Sequence, residues 1–167
     1  MGNQLTIRGP WLKQSQIQSL IDAQTFLNAI NGYVFIDPVQ YHSAAQGTWS
    51  FSIDANYYHN GLITNTTSAL NDNITYLVGL AKGTYSLKIL GATAANKGIA
   101  KIYLDDDLVA TFDLYSPTTI RNVSFTQTGI INSTPGLKSL KFKMESKNAS
   151  SSGYNINLSQ IILYRTA

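Results

Sequence analysis

Cysteine is absent from the 167 residues, which excludes disulfides, thiol nucleophiles, zinc ribbons and iron–sulfur sites. Charge is scarce as well. Twelve Lys+Arg and nine Asp+Glu make 13% of the chain, roughly half the usual share of a soluble domain. Glutamate occurs once, as Glu145, and histidine twice, as His42 and His59. A glycosidase needs two carboxylates flanking a cleft, and nucleophilic catalysis needs an oriented base beside a hydroxyl. The aspartates do not fill the gap: Asp105, Asp106 and Asp107 crowd one turn, while Asp54, Asp72 and Asp113 stand apart. A phosphate-binding glycine loop is also missing. The expectation is a protein that is not an enzyme. No apolar run approaches the roughly 18 residues of a membrane span, and Met1–Pro10 lacks a signal-peptide pattern, so neither membrane insertion nor export is expected.

What is present is enough to fold. The chain is 44% hydrophobic and 11% aromatic, a mix that excludes global disorder, and its length suits one core. The polar surface must come largely from Asn, Ser, Thr, Gln and Tyr, uncharged groups suited to sugars, water or another protein. The net charge of +3 is a small excess on few charges. Lys138, Lys141, Lys143 and Lys147 alternate with Leu140, Phe142 and Met144, which makes them the outward positions of one strand and a solvated face rather than a phosphate-binding stripe. No nucleic-acid partner is expected. Five sequons, at Asn65, Asn73, Asn122, Asn132 and Asn148, are what an Asn-, Ser- and Thr-rich chain generates by chance.

The hydrophobic period changes once along the chain. From Ser15 to Ile30 the apolar residues recur at spacings of three and four without Gly or Pro, which predicts a helix stopped by Asn31-Gly32. Leu20, Ala23, Leu27 and Ile30 fit the a and d positions of about two heptads. Such a helix either lies on its own domain or packs against copies of itself. After Gly32 the helical period gives way to short β-branched and aromatic runs. Strands are expected near Tyr33–Ile36, Thr48–Ile53, Ile74–Leu80, Thr84–Leu90, Ile99–Leu104, Leu108–Leu114, Ile120–Thr126, Leu137–Ser146 and Tyr154–Tyr164. Leu80–Thr84 and Asp105–Asp107 read as hairpin connections, and the polar stretch Asn56–Asn73 as a long loop. The fold class is therefore mainly β: a two-sheet antiparallel jelly-roll sandwich of about nine strands preceded by one N-terminal helix, dividing into residues 1–32 and 33–167.

Two kinds of site suit this frame. The Asp105–Asp107 turn concentrates carboxylates of the sort calcium takes, yet Asp is a preferred turn residue, so no metal and no cofactor are expected. Aromatics beside polar loops are the stronger signal, because a flat ring stacks on a pyranose while amides and hydroxyls meet its OH groups. Trp49, Tyr57, Tyr58, Tyr115 and Tyr154 qualify, the last with Asn148, Ser150, Ser151 and Ser152 beside it. The glycan candidates are Tyr57, Tyr58, Asn148, Ser151 and Tyr154.

The runs Asp72–Leu90, Gly98–Asp105, Phe112–Ser116, Gly136–Phe142, Lys147–Tyr154 and Ile161–Thr166 resemble galactose-binding-like jelly-roll modules of bacteriophage fibre and other virion surface proteins. More loosely, they resemble carbohydrate-binding modules with the same strand order. The resemblance implies a structural protein at the virion surface, a fibre or decoration module, whose partners are other virion proteins and a host-surface glycan. It also implies a homotrimer, with the helical stripe Leu20, Ala23, Leu27 and Ile30 as attachment or oligomer interface. The alternative is a free-standing lectin-like module. Several modules of this shape carry a loop glutamate that this chain lacks.

Overall fold

The computed structural model describes residues 32–57 and 61–167. The expected helix, with Leu20, Ala23, Leu27 and Ile30, lies outside the described residues, as do Tyr58 and His59.

Among the described residues, eleven strands form two antiparallel sheets. They are β1 (Tyr33–Ile36), β2 (Ser43–Gln46), β3 (Trp49–Ile53), β4 (Gly61–Asn65), β5 (Asn73–Leu80), β6 (Gly83–Thr93), β7 (Ile99–Leu104), β8 (Asp107–Asp113), β9 (Ile120–Asn132), β10 (Gly136–Ser146) and β11 (Asn157–Arg165). One sheet runs β3-β4-β11-β6-β9 with β1 also on β11; the other runs β2-β5-β10-β7-β8. Mainly β with two antiparallel sheets is what the alternating pattern required. The count of nine was low because β2 and β4 were missed. The β2 sequence Ser-Ala-Ala-Gln has no β-branched or aromatic residue, and it pairs only as an edge, at Ser43↔Thr75 and Gln46↔Asn73. The second, β4, sits inside the stretch taken for a loop, yet Leu62 and Ile63 are buried and Asn65 is fully buried.

The sandwich core explains the strands that alternate. Tyr76, Leu140, Phe142 and Ile102 from the five-stranded sheet meet Leu87, Ile89, Leu158 and Ile161 from the six-stranded sheet. Tyr76 stands edge-on to Phe142, with centroids 5.8 Å apart, and its hydroxyl donates to the Pro38 carbonyl at 2.9 Å. Strands β5, β7 and β10 bury an apolar side chain at alternate positions, and removing those side chains from water supplies the folding drive.

One expected hairpin holds and one does not. Strands β7 and β8 are paired neighbours joined at Asp105-Asp106, with Asp105 at φ 55°. Asp105 also accepts from the Ser139 amide at 3.0 Å and from Lys138 at 3.1 Å, so this turn is pinned to β10. By contrast, Leu80–Thr84 is a corner between the sheets, because β5 pairs with β2 and β10 while β6 pairs with β11 and β9. Tyr85 and Asn132 both donate to the Ala81 carbonyl there, at 2.9 and 2.7 Å. Both flanking strands have apolar inward faces, and in a two-sheet sandwich that pattern serves a corner as well as a hairpin.

The lysines of β10 do point outward, but they are paired rather than merely solvated. Glu145 accepts from Lys101 and Lys143, each at 2.9 Å, and from the Tyr103 hydroxyl at 2.8 Å. The hydrogen bonds from Lys143 and Lys101 hold its carboxyl down to about 2.

Candidate functional site

Of the glycan candidates, the described ones, Tyr57, Asn148, Ser151 and Tyr154, gather at one end of the sandwich, where β11 begins; Tyr58 lies outside the described residues. Three loops meet there: Thr66–Asp72 after β4, Ala94–Gly98 after β6, and Lys147–Ile156 before β11. Beneath their surface runs a buried polar chain. The Lys97 ammonium donates to the side-chain oxygens of Asn155 and Asn157. Asn157 in turn donates to the Tyr57 hydroxyl at 3.1 Å, and Asn155 to the Asn65 carbonyl at 2.9 Å. Asn65 donates to the Tyr154 carbonyl and to the Asp72 carboxylate, both at 3.0 Å, and accepts from the Ile156 amide at 2.7 Å. Asp72 further accepts from Thr67 at 3.0 Å and from the Ala69 amide at 2.9 Å.

The local sequence explains this convergence. In Asn155-Ile156-Asn157 the period of two sends Ile156 into the core and both amides to the other side. Gly91 lets the backbones close, since a β-carbon there would lie 2.2 Å from the Asn157 carbonyl oxygen. Lys97 is buried and makes no ion pair among the described residues; burial pushes its ammonium down to about 8. Two amide oxygens in place of a carboxylate partly offset the cost of desolvating it.

The candidate glycan residues divide accordingly. Asn148 and Tyr154 lie at the rim. Tyr154 is half-buried, held by Ser68 on its amide at 3.1 Å and by Asn65 on its carbonyl, and the Lys147 ammonium stands 5.2 Å from its ring centroid. Asn148 donates to Asp113 at 2.8 Å and accepts from the Ser150 amide at 3.0 Å. Tyr57 and Ser151, expected as ligand contacts, are buried instead. Tyr57 packs with Leu62 and Ala92, and the Ser151 hydroxyl donates to the Lys97 carbonyl at 2.6 Å. Both spend their polar atoms on holding the loops. Lys97, Asn155, Asn157 and Asn65 escaped the sequence reading; the alternation Asn155-Ile156-Asn157 was the one signal that could have found two of them. Asp72 had been noted only as an isolated carboxylate.

A second concavity lies elsewhere. On β11, β1 pairs with Ile161–Tyr164 and β4 with Asn157-Leu158, leaving Ser159 and Gln160 between them. At this gap a cleft of about 540 Å³ opens, walled by Phe35, Val39, Phe51 and Leu62 with Asp37 and Gln160 at its polar margin.

Neither a protein-family model nor a curated protein matches the chain. Solved structures do match in fold. Paenibacillus xanthan lyase superposes with a TM-score of 0.69 and 23% identity over 79% of this chain, which spans 13% of the lyase. The CBM36-1 domain of a multidomain xylanase from the hindgut metagenome of Trinervitermes trinervoides matches with a TM-score of 0.60 and 13% identity, over 81% of this chain and 98% of that domain. The carbohydrate-binding module CBM6cm-2 from Cellvibrio mixtus lichenase 5A, solved with cellotriose, matches with a TM-score of 0.55 and 14% identity, over 80% and 98%. The fold is that of a carbohydrate-binding-module-like jelly-roll sandwich.

Proposed function

We propose that the protein is a non-catalytic carbohydrate-binding module that meets its glycan at the loop end around Tyr154. The observation that carries this reading is the extent of the structural match: the described fold covers almost the whole of separate carbohydrate-binding modules rather than a fragment of them. The chemistry of the rim agrees with it. Tyr154 offers a half-buried ring that packs in part against the core, on a main chain held at both its amide and its carbonyl, a platform that loses little freedom on binding. Asn148 and exposed Asn96, Ser150 and Ser152 surround it with neutral hydrogen-bonding groups.

A virion-surface setting and a homotrimer belong to the same proposal and are supported by the resemblance alone. Weak single sites would gain there from repetition.

The test is a neutral-glycan array, followed by calorimetry with cellotriose, using the full chain displayed singly and multivalently. Binding lost in Tyr154→Ala and kept in Phe51→Ala supports the loop-end site. No binding to any glycan in the multivalent form overturns the function, and binding indifferent to Tyr154 overturns the site.

A further inference from the structure

We propose that Lys97 and Asn157 join covalently after folding, the lysine Nζ displacing the side-chain nitrogen of Asn157 as ammonia and leaving an amide cross-link between the two side chains. The residues are 60 positions apart in the chain, yet the ammonium donates to the Asn157 side-chain oxygen inside the loop end. Both main chains are held. The Lys97 amide donates to the Ala94 carbonyl at 3.2 Å and its own carbonyl accepts from the Ser151 hydroxyl at 2.6 Å, while Asn157 is fixed in β11 opposite Thr64. A carbonyl bond is about 1.2 Å long, so a nitrogen in hydrogen-bond contact with the oxygen stands within roughly 4 Å of the carbon it would attack. Rotation of one side chain brings this to the about 3–3.5 Å of a reacting pair. Lys97 and Tyr57 are each 4% exposed, so bulk water is kept from the pair.

The amine must be neutral to attack, and burial supplies that form: an ammonium held down to about 8 is deprotonated in roughly a tenth of the molecules at pH 7. Attack forms the Nζ–Cγ bond and sends the carbonyl electron pair onto Oδ1. Its return breaks the Cγ–Nδ2 bond, and Nδ2 leaves as ammonia with the hydrogen that Nζ gives up. The Tyr57 hydroxyl is placed to carry that hydrogen. It accepts from Asn157 Nδ2 at 3.1 Å, and it can return a proton to the same nitrogen once attack has given that atom a free lone pair. Asn155 also accepts from Lys97, but its Nδ2 donates to the Asn65 main-chain carbonyl at 2.9 Å, a group with no proton to give. That difference selects Asn157. One amide replaces another, so little bond energy changes, and the reaction is drawn forward as ammonia escapes and takes up a proton in water. The product carries one positive charge fewer, because the Lys97 ammonium has become a neutral amide. Until the bond forms, Lys97 titrates as a buried amine.

The test reads the intact mass of the full chain, at purification and through several days of incubation at about pH 8.5, above the value for Lys97. The expected product is lighter by one ammonia, is no longer cut by trypsin after Lys97, and yields a branched peptide joining Lys97 to Asn157. With no cysteine in the chain, no disulfide confuses the map. Tyr57→Phe, which keeps the ring against Leu62 and Ala92, should slow formation of the product at least about tenfold. Lys97→Arg should keep its full mass. Loss of ammonia in Lys97→Arg would mean that an asparagine cyclises onto its own main chain, and would overturn the proposal. An unchanged mass in the wild type would overturn it too. A branch at Asn155, or a rate indifferent to Tyr57→Phe, would overturn the path through Asn157 and Tyr57.

Discussion

Lys97 and Asn157 face each other inside the loop end as a buried ammonium and an amide oxygen, with Asn155 supplying a second oxygen. No carboxylate among the described residues forms an ion pair with this cation. Its proton is therefore held less firmly than in the unfolded chain.

The first prediction follows from that proton. The folded value of Lys97, about 8, lies below its ordinary 10.5, so between these values the unfolded state binds more protons than the native one and stability rises with pH. The gain is up to about 3 kcal/mol. Above pH 10 the trend reverses, because burial raises the Tyr76 hydroxyl above its usual 10.0 and the unfolded tyrosine ionises first. Thermal unfolding should show a maximum near pH 10, and Lys97→Met should abolish the rise between 8 and 10.5. A wild-type profile flat across that window would contradict the account.

Glu145 gives the opposite slope at acid pH. Its carboxyl is held at about 2 against an ordinary 4.5, so its contribution is complete above 4.5 and is lost as pH falls towards 2. With a side chain 20% exposed, solvent screening reduces this to about 1 kcal/mol. Urea titrations of wild type and Glu145→Gln should differ by that amount at pH 7 and converge near pH 2.

Asp72 anchors the other end of the polar chain. Its carboxylate accepts from Asn65, Thr67 and the Ala69 amide, and removing it leaves those donors facing a void. Asp72→Ala should cost about 2–4 kcal/mol in urea unfolding. Asp72→Asn, which keeps one acceptor oxygen, should cost less.

If the glycan meets the Tyr154 ring and the neutral rim groups, its affinity should change by less than about twofold between roughly 0.05 and 0.5 M salt, with Lys147, 5.2 Å from the ring centroid, the one cation beside it among the described residues. A steep salt dependence in calorimetry would point instead to the paired lysines on the outer face of β10.

The sequence made the strongly alternating strands plain, because β5, β7 and β10 each place one buried apolar residue at every second position. It hid β4, whose Thr64 and Asn65 have the composition of a loop although Asn65 is wholly buried. It hid the corner at Ala81 for a related reason: periodicity tells which side of a strand is inward but not which sheet the strand joins. At the site, Tyr154 and Asn148 were found at the rim. Tyr57 and Ser151 were drawn to it by composition too, but a hydroxyl in a polar loop carries no mark of whether it faces water or ties the loop down. Lys97 was invisible, because one lysine between Asn96 and Gly98 looks like any surface residue.

The pairing of β1 with β11 has a mechanical consequence. Tyr33 lies opposite Tyr164 at one end of β11, whereas the loop end bearing Tyr154 adjoins Asn157 at the other. A pull applied between Gly32 and Tyr154 is thus directed along the strands. The ladder bonds of an antiparallel pair stand across the strand axis, so such a load falls on the four paired positions of β1 and β11 together and shears the sheet instead of peeling it open one rung after another.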